Sequence, residues 1–353
     1  MKKKEIIIFY PYLLTFGGIE QLFCTLSAEI KVKIITFENT IQLSKYSKNI
    51  EVIKLNPKSY FDKIFLLKKY FSNNNFVLIP IMWGFKAVFF AYLANIKKYN
   101  VIIDDPPSLI TNFFIKKSFF ANLRHIIVET INKKAFQKAN VRITTNKRNS
   151  IELKKHYSCN FKYHYLGIIN KKPILKKSKK KIFILSISRL ENNKNLHWIV
   201  NAISLLKINN LKLFKKIHVD ILGKGKDGIF LKQLAIKNGI DKKIKFRGFV
   251  TNKIKENFLK KSHIFVIPAV QGYGIPALEA LDYKNRLLIN KESRITEIFQ
   301  NNSVISICGN NFEDFNNNFL QVTKRVLNNN KTNFNINLPN YKKWCKFIYN
   351  NFI

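Results

Sequence analysis

Short apolar runs of β character alternate with helical stretches along almost the whole chain, and this alternation narrows the available folds more than any other feature. In the first half, residues 5–10, 32–37, 76–81, 101–103 and 141–144 read as strands. Residues 19–28, 60–71, 85–95 and 126–139 read as helices. In the second half, strands are expected over 182–188, 217–222, 244–246, 263–268, 286–289 and 304–308. Helices are expected over 196–206, 229–238 and 253–260, with another opening over 276–281. Such alternation implies parallel sheets covered by helices. A polar, strongly basic stretch containing Pro173 separates the two blocks, as an inter-domain linker would. The expected organisation is a Rossmann-like domain over 1–168, a basic linker over 169–181 and a second Rossmann-like domain over 182–335. A terminal helix over 338–353 completes it.

Ligands of open parallel sheets bind beyond the carboxyl ends of the strands, so the strand-to-helix turns are where chemistry is expected. Residues 268–280 follow a strand and open a helix. Gly272 and Gly274 let backbone approach a ligand closely, and Pro276 suits a first helical turn. The exposed N–H groups of this turn, with the helix dipole, form a phosphate cradle over Gly272, Tyr273, Gly274 and Ile275. Glu279 lies one turn further on, where a carboxylate accepts hydrogen bonds from a ribose diol.

A second loop, Ser188 to Asn195, carries Arg189 and Lys194 at the end of the first strand of its block. Two cations there can clamp a diphosphate and offset charge on a leaving group. The third loop begins Gly223-Lys224-Gly225 and fits G-x-G-x-x-G through Gly228. A dinucleotide fingerprint also requires an acid at the end of the next strand, and residues 244–250 contain none. NAD binding is therefore not the reading of this loop.

These residues resemble the family 4, GT-B-fold, retaining glycosyltransferases, also described as glycosyl transferases group 1. The segment 271–280 resembles their E-x7-E signature, with Gln271 in place of the first Glu and Glu279 matching the second. The segment 188–195 resembles G-R-L-x-x-x-K-G, with Ser188 and Asn195 replacing the glycines. Phe246, Gly248 and Val250 resemble a segment whose backbone faces the nucleobase. Gly17, Gly18 and Glu20 resemble the G-G-x-E loop that reaches the donor or acceptor from the first domain.

The resemblance implies two doubly wound α/β domains facing a central cleft. It implies a UDP- or GDP-sugar donor and a glycan or lipid-linked acceptor in cell-surface polysaccharide or lipopolysaccharide synthesis. Arg189, Lys194 and Gln271 are the implied catalytic residues. Gly17, Gly18, Gly223, Gly225, Gly248, Val250, the 272–275 turn and Glu279 are the implied donor ligands. No metal and no cofactor is implied, because the two cations supply the charge stabilisation. A His is expected near Asp104-Asp105 in many relatives and is absent here. The acidic pair either contacts sugar hydroxyls or caps the next helix. Gln271 also leaves open a catalytically weak relative acting as a partner subunit.

Charge bears on partners. The 353 residues hold 62 Lys+Arg against 21 Asp+Glu, a formal net charge of +41. Such a field favours polyanions or anionic lipid, although Lys and Asn are abundant even in loops, as a compositional bias would make them. No nucleic-acid-binding module accompanies the charge. Stretches 60–71 and 113–124 mix Phe with Lys and Arg, which suits contact with an anionic membrane surface. The run 76–96 contains Pro80, Gly84 and Lys86 and reads as strand, turn and helix rather than as a membrane span. The N-terminal apolar run is too short for a signal peptide. The four cysteines form no CxxC and the six histidines show no metal spacing, so a reducing compartment is expected. The expected location is the cytoplasm, with peripheral attachment to the inner face of the membrane.

Overall fold

The computed structural model describes residues 5–14, 16–73, 81–103, 119–169, 177–178, 180–269, 272–299, 302–328, 334 and 336–352. The first half contains β1 (Glu5–Phe9), β2 (Tyr12–Leu13), α1 (Gly18–Leu26), β3 (Lys31–Thr36), β4 (Glu38–Asn39) and β5 (Ile50–Lys54). It continues with α2 (Tyr60–Asn73), β6 (Ile81–Trp83), α3 (Phe85–Leu93) and β7 (Asn100–Ile103). Next come α4 (Phe119–Lys138), β8 (Arg142–Thr144), α5 (Lys147–Tyr157) and β9 (Lys162–Tyr163). The second half runs through β10 (Ile182–Ile187), α6 (Leu196–Asn209), α7 (Leu211–Lys216), β11 (Ile217–Leu222), α8 (Gly228–Lys237) and β12 (Ile244–Gly248). It ends with α9 (Asn252–Lys261), β13 (Ile264–Ile267), α10 (Ile275–Asp282), β14 (Arg286–Asn290), β15 (Ile305–Cys308), α11 (Phe312–Leu327) and α12 (Tyr341–Phe352).

Two compact units result. The first comprises Met1–Leu166 together with Lys342–Ile353, and the second Gly167–Tyr341. The first unit holds a parallel sheet in the order β5-β3-β1-β6-β7-β8-β9. The second holds a parallel sheet in the order β12-β11-β10-β13-β14-β15. Both orders reverse direction beside their first strand, which is the doubly wound pattern. In the second unit this switch point lies between β10 and β13, paired through Ile184–Ile264 and Leu185–Phe265.

The second-unit core explains why its elements were readable. In β10, Ile182, Ile184, Leu185 and Ser186 are all buried, as helices on both faces of a parallel sheet demand. In α6, buried Leu196, Ile199, Val200, Ile203 and Leu206 follow helical spacing. The α11 helix was not anticipated. It has the same signals: Phe315, Phe319 and Val322 are buried, and the Asn311 side chain accepts from the Asp314 N–H at 2.8 Å.

The first unit departs further from expectation. Helix α4 starts at Phe119, before the expected start at residue 126. Leu123, Ile126 and Ile127 are 46%, 51% and 52% exposed, so no single apolar face marks where it begins. Helix α5 and edge strand β5 were not anticipated. Of the expected strand over 76–81, residues 76–80 lie outside the described residues, and β6 begins at Ile81. Most of the basic stretch 170–181, and residues 113–118 of the basic aromatic stretch, also lie outside them. The last helix, α12, buries Trp344 and Ile348 in the first unit, with the Trp344 ring 6.4 Å from that of Trp83. Among the described residues, no helix is long and apolar enough to cross a membrane.

Candidate functional site

The loops after β10 and β13 stand on either side of the second unit's switch point, and they carry the two strongest sequence motifs. After β10 the chain turns through Ser188 and Arg189, makes a short 3-10 turn over Asn192–Lys194 and enters α6. Asn195 caps that entry with φ +51°. Asn is among the few side chains that tolerate this left-handed conformation, so it replaces a glycine here at little cost. Its side-chain amide donates to the Pro268 carbonyl at 3.2 Å, tying the β10 loop to the β13 loop. The Arg189 side chain is 71% exposed and contacts Glu191 at 3.0 Å. Lys194 leaves the same loop and is half-buried. The guanidinium therefore stands at the carboxyl edge of the sheet, close to fully hydrated.

The 223–225 loop closes against this one by backbone alone. Ser188 N–H donates to Leu222 O at 3.0 Å, and Leu190 N–H to Lys224 O at 3.0 Å. A Cβ on Gly223 would meet Ser188 O at 1.9 Å, and one on Gly225 would meet Leu190 O at 2.2 Å. Both glycines are thus required by loop-to-loop packing. Gly223 N–H donates to Gly248 O at 2.8 Å, which adds the β12 loop to the same layer. Gly248 has φ +71°. Val250 is half-buried, and Phe246 packs its ring against the core.

At β13 the turn reaches α10 through Gly272 (φ +119°) and Gly274 (φ +90°). Gly274 is the N-cap and Pro276 lies in the first turn. The first N–H groups of a helix have no intrahelical acceptor, and the dipole adds positive character there. Gly272, Gly274 and Ile275 are half-buried, which leaves their backbone near the surface. Tyr273 is 5% exposed, so its ring anchors the turn inside the protein. Arg294 N–H donates to Gly272 O at 3.2 Å and supports the turn from the β14 side. Ser293 Oγ would lie 3.2 Å from a Cβ on Gly274, a second reason for glycine there. Gln271 lies outside the described residues, as do Asp104 and Asp105.

Glu279 projects from α10, in which Ala277, Leu278, Ala280 and Leu281 are buried. Its two carboxylate oxygens accept from Lys255 Nζ at 2.7 and 2.9 Å. Lys255 belongs to α9, and sequence reasoning passed it over. One lysine in a helix of so basic a chain carries no distinguishing signal until its partner is seen.

In the first unit, Gly17 caps α1 and donates to Glu20 Oε2 at 2.9 Å. Glu20 is 6% exposed, and burial raises its carboxyl above the ordinary range. This is one half of a capping box. Around Gly18 nothing lies within 4 Å of the position of a Cβ. Among the described residues, no cluster of three His, Cys, Asp or Glu is placed to hold a metal ion.

Residues 168–336 match the family model "Glycosyl transferases group 1". Over 119 residues the chain is 29% identical to an uncharacterised glycosyltransferase of Methanocaldococcus jannaschii, a match covering 33% of this chain and 29% of that protein. The chain superposes on WaaG, a glycosyltransferase involved in lipopolysaccharide biosynthesis, with TM-score 0.72 and 13% identity, covering 97% of this chain and 99% of that one. Against sucrose-phosphate synthase from Thermosynechococcus elongatus the TM-score is 0.75 at 11% identity, with 98% of each chain covered. Anabaena HepE, solved in complex with UDP, gives 0.72 at 13% identity, covering 93% of this chain and 91% of that one. The chain therefore has the GT-B fold, and within it residues 168–336 match the model of the glycosyl transferases group 1.

Proposed function

We propose that the protein is a retaining glycosyltransferase that moves a hexose from a UDP- or GDP-sugar to a glycan or lipid-linked acceptor in cell-surface polysaccharide or lipopolysaccharide synthesis. The observation that carries this reading is the pairing of two motifs across one switch point. Arg189 and Lys194 come from the β10 loop and the Gly272–Gly274 turn from the β13 loop. The two cations hold the diphosphate, the α10 N-terminus adds backbone donors, and Glu279 takes the ribose diol. The backbone of 248–250 faces the base, and Gln271 orients sugar hydroxyls.

In the transfer step the C1–O bond to the β-phosphate breaks. The nucleoside diphosphate leaves with the electron pair. The acceptor hydroxyl oxygen bonds to C1 and gives up its proton to an oxygen of the departing diphosphate. Arg189 and Lys194 offset the charge that builds on the departing diphosphate. The step uses no metal, so transfer is expected to persist in excess EDTA. Thermal-shift screening against UDP, GDP, ADP and their sugars tests the donor assignment. Stabilisation by none of them would remove it.

The acceptor side of the reading draws on the first unit. Phe61 and Phe65 on α2 are 82% and 61% exposed, and α4 exposes Leu123, Ile126 and Ile127. Exposed apolar side chains among cations fit the surface of an anionic leaflet, the inner face of the cytoplasmic membrane in this reading. Co-sedimentation with vesicles containing anionic phospholipid at physiological salt tests this. Equal recovery with neutral vesicles would remove it. Gln271 favours a second reading, a weakly catalytic partner subunit. A gain in donor hydrolysis on Gln271→Glu would support it.

A further inference from the structure

The ribose carboxylate proposed above is already occupied. Lys255 Nζ bridges both oxygens of Glu279, at 2.7 and 2.9 Å, with side-chain exposures of 22% and 26%. A carboxylate offers about four lone-pair positions and an ammonium three N–H donors. The bridge uses two of each. The outer two acceptor positions of Glu279 stay available to a ribose diol, so Lys255 need not leave when a nucleotide binds.

The pair also settles a charge problem. A bare carboxylate beside a nucleoside diphosphate repels the phosphates that Arg189, Lys194 and the α10 N-terminus attract. The strength of such repulsion grows as water is excluded. With Lys255 in place, Glu279 presents acceptors to the sugar without presenting net negative charge. Lys255 is also well placed in the chain, in the first half of α9 and five residues beyond Val250.

We propose that Lys255 is a positioning residue for the nucleotide, holding and neutralising Glu279 so that the pair reads the ribose as one unit. This rests on Glu279 being the ribose ligand. The test is isothermal titration of the full chain with UDP, GDP and ADP, following whichever binds the parent most tightly. Lys255→Met should raise its Kd about tenfold or more, and Lys255→Arg should stay within about threefold of the parent. Glu279→Gln should weaken binding too. The double variant Lys255→Met, Glu279→Gln should bind more tightly than Lys255→Met alone, because the second change removes the uncompensated charge. A simple stabilising contact, or a direct phosphate contact from Lys255, gives no such rescue. A Kd for Lys255→Met within about twofold of the parent, or a double variant no tighter than it, overturns the proposal. Parent-like binding by Glu279→Gln would overturn the ribose role itself, and this inference with it, while leaving the diphosphate site at Arg189 standing. Thermal unfolding without nucleotide confirms that each variant is folded.

Discussion

The two units share a doubly wound parallel sheet, yet they use glycine at their strand ends for opposite reasons. In the second unit, Gly223 and Gly225 each press against the backbone of the β10 loop, and Gly272 and Gly274 adopt left-handed φ values. None of these positions tolerates a Cβ without movement or strain. In the first unit, Gly17 has φ −141° and Gly18 faces open space. Glycine is not forced there by the fold. A glycine that packing requires says little about ligands, whereas one with empty space beside it leaves room for something to approach. The comparison therefore separates Gly223 and Gly225, which build the scaffold, from Gly18 and Gly272, beside which there is room for a ligand.

The largest effect is expected where the second unit's loops present charge. Arg189→Ala or Lys194→Ala should lower turnover about 100- to 1000-fold, the usual cost of removing one group that stabilises developing charge. Arg189 is exposed, so thermal stability should be unchanged. Near-parent turnover in a donor-hydrolysis or transfer assay would mean that the β10 loop is scaffold only.

The units also differ in continuity. The second is one stretch of chain, while the first is completed by α12 from the far end. Trp344 is fully buried there against Trp83. Trp344→Ala should cost about 3–5 kcal/mol in the first unit. Calorimetry should then show an early transition, while nucleotide binding at low temperature persists. One unchanged transition would show that α12 contributes little.

The glycine contrast has its own test. Gly225→Ala places a methyl against Leu190 O and should cost about 3 kcal/mol or more, seen as a Tm lower by roughly 5–10 °C. Gly18→Ala should leave stability within about 0.5 kcal/mol while lowering transfer. Equal Tm losses in the two variants would break the comparison.

Much of this was legible in the sequence because the second unit advertises itself. Its strands are apolar on both faces, its helices keep helical spacing, and its strand ends carry glycine and proline signals. The cation loop and the α10 turn could be set side by side because a doubly wound sheet brings the ends of its first and fourth strands together. What stayed hidden depends on tertiary pairing. The contact of Lys255 with Glu279 joins two helices 24 positions apart in sequence, and no local pattern announces it. That Gly223 and Gly225 serve loop packing is likewise invisible until the β10 loop is laid against them. In the first unit, α4 hid its start because its exposed apolar residues break the amphipathic stripe.

The smallest expected effect probes the first unit's turn directly. Burial lifts the Glu20 carboxyl above its ordinary value, although Tyr10 and the Gly17 N–H favour its charged form. A carboxyl raised in the folded state adds stability below its unfolded value, and that contribution is lost as pH rises through the folded value. Glu20 should therefore cost the first unit stability from the upper carboxylate range to neutrality. Glu20→Gln keeps an oxygen for the Gly17 N–H and removes the titration. Relative to the parent, its Tm should be higher at pH 7 than at pH 4, by about a few degrees. Titrations elsewhere are common to both proteins and cancel in the difference. Superimposable pH profiles would mean that water reaches Glu20 freely. The Gly17–Gly18 turn would then be loosely held, and the contrast with the packed loops of the second unit would become one of rigidity as well as of space.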